Sequence, residues 1–235
     1  MSEKISIIGP VLNDAAHLSQ LLEIIRRADG AQDLLEEVLV VDGGSTDHSA
    51  KVVRDFGFTL INSPKGRAVQ MNVGARRASG DALHFIHADS RPPYSFLADV
   101  RERLDQGARL GCFRSLFDTQ SWMLKACSYF TRFQGMLFRG GGQTLWIERK
   151  LFGELEGYDE QMALMEEYDL IQRASKKTSF HIIPKNVLVS DRDYERYGSW
   201  RLQSLYGIVY LLYFSGASQE TIKKFVYETI KKRPA

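Results

Sequence analysis

Residues Val38-Leu39-Val40-Val41 run straight into Asp42-Gly43-Gly44-Ser45-Thr46-Asp47. An apolar, β-branched run stopped by a carboxylate and two glycines reads as a buried strand emptying into a polar crevice. The layout returns at Leu83-His84-Phe85-Ile86, followed by His87-Ala88-Asp89-Ser90. Ile5 to Ile8 and Phe58 to Ile61 are two further strand-like runs. Between the runs, apolar residues take helical spacing, as in Leu18, Leu21, Leu22 and Ile25. Strands alternating with helices imply a mostly parallel sheet with helices on both faces. Open sheets of this kind bind ligands at the carboxyl ends of their strands. Two acidic strand ends therefore suggest a site for a sugar-like ligand or a metal-bound phosphate.

The alternation holds over residues 1–105. Asn13 and Asp14 are expected to cap the first helix, and Ser45, Thr46 and Asp47 the second. Ser63-Pro64-Lys65-Gly66 breaks the chain before a helix over 67–78, and Pro92-Pro93 introduces another over 96–104. The later half is less regular. Strands are expected over 111–117, 144–147 and 180–183. An aromatic-rich helix is expected over 122–138, a glycine loop over 139–143, and helices over 166–175, 199–214 and 218–231. No internal repeat, low-complexity stretch or linker divides the chain, so 1–235 reads as a single domain.

Composition narrows the function. With 235 residues and 44% hydrophobic content, the chain can bury a full core. Thirty-one Lys and Arg against 29 Asp and Glu leave a formal charge of +2, which argues against nucleic-acid binding. Cys112 and Cys127 form no C-x-x-C pair, so they carry no zinc or redox motif and read as free thiols of a reducing compartment. Met1-Ser2-Glu3-Lys4 leads directly into a strand with no basic-then-apolar leader, so a cytoplasmic protein is expected. The apolar stretch Leu205 to Phe214 is about half the ~20 residues that span a bilayer.

Five segments together carry a family resemblance. They are Ile7-Ile8-Gly9-Pro10-Val11-Leu12-Asn13-Asp14, Val40 to Asp47, Phe85-Ile86-His87-Ala88-Asp89-Ser90, Ser63 to Gly74, and Leu164-Met165-Glu166-Glu167-Tyr168-Asp169-Leu170. In order and spacing they resemble the signatures of family-two glycosyltransferases, which have the GT-A fold and use nucleotide-diphosphate sugars. Arg67-Ala68-Val69-Gln70-Met71-Asn72 and His87-Ala88-Asp89 are similar to a bacterial subgroup of small, stand-alone members.

The resemblance implies a Rossmann-like half over 1–105 for the nucleotide sugar, an acceptor and catalytic half over 106–198, and a helical C-terminal extension over 199–235. It makes Pro10, Asn13 and Asp42 the nucleoside contacts. Arg67, Gln70 and Asn72 would face the nucleotide and the donor sugar, and His87, at a strand end, would hydrogen-bond phosphate, ligate the metal or only pack. Asp89 would hold Mg²⁺ or Mn²⁺, neutralising charge on the departing diphosphate. Glu167 would take the proton of the acceptor hydroxyl in an inverting transfer, with Glu166 beside it and Asp169 in support. Arg192 and Arg196 would fold over the diphosphate, or else pair with Asp193 and Glu195 at the surface. Gly141, Gly142 and Gln143 would lie on the acceptor side. The chain departs from the family pattern at His87, where Asp is common, at Glu167, where Asp is usual, and near Gly142, where relatives often carry an acid.

The expected partners are a UDP- or GDP-sugar and a hydroxyl acceptor. Two other classes stay open at this point: a non-catalytic sugar-nucleotide-binding module and a nucleotidyltransferase. The latter's lysine-containing glycine loop after the first strand is missing. The 199–214 helix, apolar on most sides and followed by Lys223, Lys224, Lys231, Lys232 and Arg233, reads either as a core or homodimer helix with a basic tail or as a peripheral contact on the inner membrane face.

Overall fold

The computed structural model describes residues 3–139 and 143–231. Its first half alternates as the periodicity predicts: β1 (Ile5–Val11), α1 (Ala15–Arg26), the short α2 (Ala31–Leu34), β2 (Leu35–Asp42), α3 (Ser49–Phe56), β3 (Thr59–Asn62), α4 (Arg67–Arg77), β4 (Ala82–Phe85), the two-residue β5 (Ser90–Arg91) and α5 (Phe96–Asp105). The second half holds β6 (Leu110–Asp118), α6 (Trp122–Phe130), a 3-10 turn (Met136–Phe138), β7 (Leu145–Glu148), α7 (Arg149–Glu154), α8 (Glu166–Ala174), β8 (His181–Ser190), α9 (Arg192–Tyr197), α10 (Ser199–Phe214) and α11 (Gln219–Lys231).

The eight strands form one sheet in the order β3-β2-β1-β4-β7-β6-β8-β5. β3, β2, β1 and β4 are mutually parallel, as continuous apolar runs require. β7 runs antiparallel between β4 and β6. Alternate side chains serve opposite layers. Ile7, Val38 and Val40 pack with Leu18, Leu21 and Ile25 of α1, whereas Ile8, Leu39 and Val41 pack with Ala68 and Met71 of α4. Gly74 permits the second contact, because a Cβ there would lie 2.5 Å from Ile8 Cγ2.

Several elements differ from expectation for identifiable reasons. The expected 122–138 helix stops at Phe130, and Gly135, at φ 122°, turns the chain before the 3-10 segment. The strand expected over 180–183 continues to Ser190 despite Pro184, because the β6 pairing jumps from Ile183 to Asn186 around the proline. Asp14 occupies the α1 N-cap position without capping, and its carboxylate turns elsewhere.

His84 is the least compatible residue of the core. It is fully buried in β4, stacked on Phe113 at 5.8 Å and tilted against Phe96 at 5.5 Å. Neither ring nitrogen gains a well-formed hydrogen bond. Burial pushes its pKa down to about 3, with only partial compensation from the Thr144 backbone. The depressed value fixes the sign: below pH 6.5 the unfolded chain takes up a proton that the native state refuses. Native stability should therefore fall by about 1.4 kcal/mol per pH unit from this group as pH drops from 6.5 toward 3. Urea melts from neutral to mildly acidic pH should show a shallower loss in His84→Leu. Parallel profiles in the two proteins would count against this assignment.

Candidate active site

The chain moves from β1 to β2 on one side and reaches β4 on the other, which opens a crevice at the carboxyl ends of β1 and β4. Asp42 closes β2 and is 5% exposed. Its Oδ1 accepts from the Gly44 N–H at 3.2 Å, the Ser45 N–H at 2.8 Å and the Ser45 hydroxyl at 2.6 Å. The result is an Asx-type turn, and among the described residues Oδ2 is the carboxylate's uncommitted oxygen. Asn13, at φ 53°, faces it across the crevice loops. Its backbone N–H donates to Ser45 Oγ at 2.9 Å, and its Oδ1 accepts from the Thr46 N–H at 2.7 Å. Pro10 lies beside Val41 in register, buried within β1.

The start of α4 is drawn onto these strand ends. Gln70 donates its amide hydrogens to the Val11 carbonyl at 2.9 Å and the Val41 carbonyl at 2.8 Å. A Cβ at Gly43 would sit 2.9 Å from Gln70 Oε1, so this approach needs glycine there. Asn72 is committed at both ends: Nδ2 donates to the Tyr158 carbonyl at 2.8 Å, and Oδ1 accepts from the Tyr158 N–H at 2.9 Å. Both expected donor contacts are thus engaged within the protein. Asn72 ties α4 to the segment before α8, and Gln70 ties β1 to β2 with only its carbonyl oxygen left over.

Two pairs join the segment after β4 and the start of α4 to the start of α8. His87 Nε2 lies 3.0 Å from Glu167 Oε1, with both side chains largely enclosed. Burial opposes charge on His87. The hydrogen bond and charge of Glu167, aided by Asp89, outweigh it, so the imidazole titrates above its ordinary 6.5. Arg67 Nε lies 2.8 Å from Glu166 Oε1, yet its N–H is not aligned, and neither oxygen of that buried carboxylate gains a directed hydrogen bond. Burial holds Glu166 above the usual carboxylate range, against the pull of Arg67. Met165, left-handed at φ 70°, brings both glutamates into the first turn of α8.

Asp169 does not join them. It pairs with Arg173 at 2.5 Å, and Arg173 also donates to the carbonyls of Leu155 and Gly157. The expected supporting acid is a brace for the preceding turn. Arg192 approaches from α9 and grips both oxygens of Asp14, at 2.8 and 2.7 Å, within the electrostatic reach of Asp89. Arg196 instead lies 5.3 Å over the Tyr197 ring. Gly141 and Gly142 lie outside the described residues, as do Lys232 and Arg233. Gln143 is buried, its amide donating to the Phe138 carbonyl at 3.2 Å.

Sequence reasoning missed two participants. Asp14 read as a helix cap, because only the fold brings Arg192 to it. Tyr206 of α10 belongs to no motif. Its ring meets Tyr194 at 6.3 Å, and burial raises its phenol, with Asp193 and Asp89 adding to it and Arg67 opposing, so it stands within electrostatic reach of Arg67 and Asp89.

Among the described residues, no three His, Cys, Asp or Glu converge on a metal position. The Asp89 carboxylate has neither a hydrogen bond nor an ion pair there. Magnesium-like cations are commonly held by one or two carboxylates, with substrate phosphates and water completing the shell. A lone open carboxylate at a strand end fits that mode. A groove of about 830 Å³ between residues 163–164 and α11 lies apart from this cluster.

Known proteins share this fold. The fold is similar to that of a mannosyltransferase from Pyrobaculum calidifontis solved with GDP-Man and Mn²⁺, at TM-score 0.68 and 19% identity over 89% of this chain and 63% of that one. It is also similar to glucosyl-3-phosphoglycerate synthase from Mycobacterium tuberculosis solved with Mn²⁺ and UDP, at TM-score 0.64 and 19% identity over 92% of this chain and 81% of that one. The architecture is thus GT-A. Residues 6–144 match the glycosyl transferase family 2 model, and the chain belongs to that family. In sequence it is 28% identical, over 111 residues, to the undecaprenyl-phosphate 4-deoxy-4-formamido-L-arabinose transferase of Edwardsiella ictaluri. The match covers 44% of this chain and 34% of that relative, about a third of its length.

Proposed function

We propose that this protein transfers a sugar, with inversion, from a nucleotide-diphosphate donor to a hydroxyl acceptor, assisted by Mg²⁺ or Mn²⁺. The observation that carries the reading is the meeting of Asp89, His87–Glu167 and Arg67–Glu166 at the crevice where GT-A enzymes are open to ligand. The free Oδ2 of Asp42 is suited to a base N–H. Arg67, nearly half exposed, can reach donor phosphate while its Nε stays by Glu166. Asp89 would hold the cation, which when bound supplies charge compensation for the leaving diphosphate. Glu167 would take the acceptor proton as the oxygen attacks the anomeric carbon from the side opposite the diphosphate. The His87 hydrogen bond leaves Oε2 for that task and fixes the carboxylate's orientation. The Arg67-to-Asn72 and His87-to-Asp89 patterns support counting the chain among the small stand-alone members of the family.

A thermal-shift screen of UDP- and GDP-sugars, with and without Mn²⁺, tests donor binding. Donor turnover across a panel of hydroxyl acceptors then tests transfer. Stabilisation by a nucleotide sugar that grows with Mn²⁺, followed by turnover, is the expected result. Binding with no turnover across the panel would return the protein to the class of sugar-nucleotide-binding modules.

A further inference from the structure

α10 is apolar on opposite sides, yet only one side is covered. Leu202, Leu205 and Val209 pack on Ile222 of α11. On the other side Trp200, Ile208, Leu211 and Phe214 are exposed. A helix apolar all round is ordinarily buried. The 122–139 segment runs alongside it. Trp122 meets Trp200 edge to face at 5.9 Å, and farther along Tyr168, 5.9 Å from Tyr210, donates its hydroxyl to the Arg139 carbonyl. That segment exposes Trp122, Tyr129, Phe130, Phe133 and Leu137. Among the described residues, every exposed large apolar side chain except Tyr94 falls within 122–137 or 200–227.

The charges on this face have one sign. Residues 119–139 and 196–218 contain no Asp or Glu, although the chain has 29. Their charged residues are Lys125, Arg132, Arg139, Arg196 and Arg201. Arg139 is buried, whereas Arg132 lies 3.7 Å over the exposed Tyr129 ring. Acids stand at its border: Asp118, Asp191 and Glu195 line a small polar groove with Ser199, Asp193 is within electrostatic reach of Tyr206, and Glu220 lines the α11 groove with Tyr227.

We propose that this face docks on an anionic bilayer surface, with α10 and the 122–138 segment lying in the interface. Trp, Tyr and Phe interleaved with Lys and Arg partition to that depth, and anionic headgroups attract the cations. No helix among the described residues is long and apolar enough to cross a membrane, so the contact is peripheral. A second copy of the chain is a poorer occupant, because a two-fold contact would set this cationic face against itself. The docking itself does not depend on the transferase reading.

Co-sedimentation with phosphatidylcholine vesicles, with and without phosphatidylglycerol, tests the proposal. The protein should bind the anionic vesicles and be released as salt screens the cations. Leu137→Glu and Leu211→Glu replace exposed side chains, so both variants should keep the wild-type melting temperature and nucleotide response. Each should lower vesicle partitioning about tenfold or more. Absence of binding to anionic vesicles, or wild-type binding by both variants, overturns the proposal. A lipid-free dimer that Leu211→Glu dissociates would assign the face to self-association and overturn it as well.

Discussion

Glu167→Gln should slow sugar transfer by about a hundred- to ten-thousand-fold, the usual contribution of a general base, while leaving donor binding unchanged. The amide keeps a carbonyl oxygen within reach of His87 Nε2, so the 3.0 Å contact has a neutral replacement and the fold is not disturbed. What disappears is the basic oxygen and its negative charge. A second readout follows from the pair. The Glu167 hydrogen bond and charge are what lift His87 above 6.5 against its burial. In Glu167→Gln the imidazole should therefore titrate lower, which NMR of the ring protons can follow without any substrate. A slow variant with an unmoved His87 titration would mean that the pair is not formed in solution. Unchanged transfer would remove Glu167 as the base and leave His87 or Glu166 to be tested next.

Asp89→Ala should remove the dependence of donor affinity on Mn²⁺ and lower transfer by about a hundred- to a thousand-fold. That is the rate equivalent of several kcal/mol of charge stabilisation at the leaving group. Among the described residues the Asp89 side chain has no hydrogen-bond or ion-pair partner to abandon, so the variant should melt as the wild type does. Titration calorimetry of UDP and GDP, each with and without Mn²⁺, separates this residue from Asp42. Loss of the Asp42 carboxylate should weaken nucleotide binding whether or not the metal is present, and should also loosen the turn that Oδ1 holds. A Mn²⁺ response retained in Asp89→Ala would move the cation to another group.

Much of the fold was legible because its signals are local. β1, β2 and β4 carry apolar runs, and the ends of β2 and β4 are marked by Asp42-Gly43 and His87-Ala88-Asp89, whereas β1 continues through the Gly9-Pro10 expected to halt it, as far as Val11. The elements that escaped are those whose limits depend on distant partners. β8 passes through Pro184 because it bulges there, between its pairings to Phe113 and Arg114 of β6, and the 122–138 helix ends at Phe130, ahead of the positive-φ Gly135 that turns the chain into the 3-10 segment.

The candidate site divides in the same way. Sequence alone determined that carboxylates would gather at the carboxyl ends of parallel strands, since strand period, glycine turns and acidic termini are written within a few residues of each other. It could not determine which polar side chains remain available to a ligand. Asn72 is committed to Tyr158, 86 residues away, and Arg192 reaches Asp14 across 178 residues. Asp169 is held by Arg173, whose other bonds go to the 155–157 turn. Each hydrogen-bonding group has limited capacity, and only the tertiary structure assigns it. That assignment leaves Asp89, one oxygen of Asp42 and the His87–Glu167 pair facing the crevice.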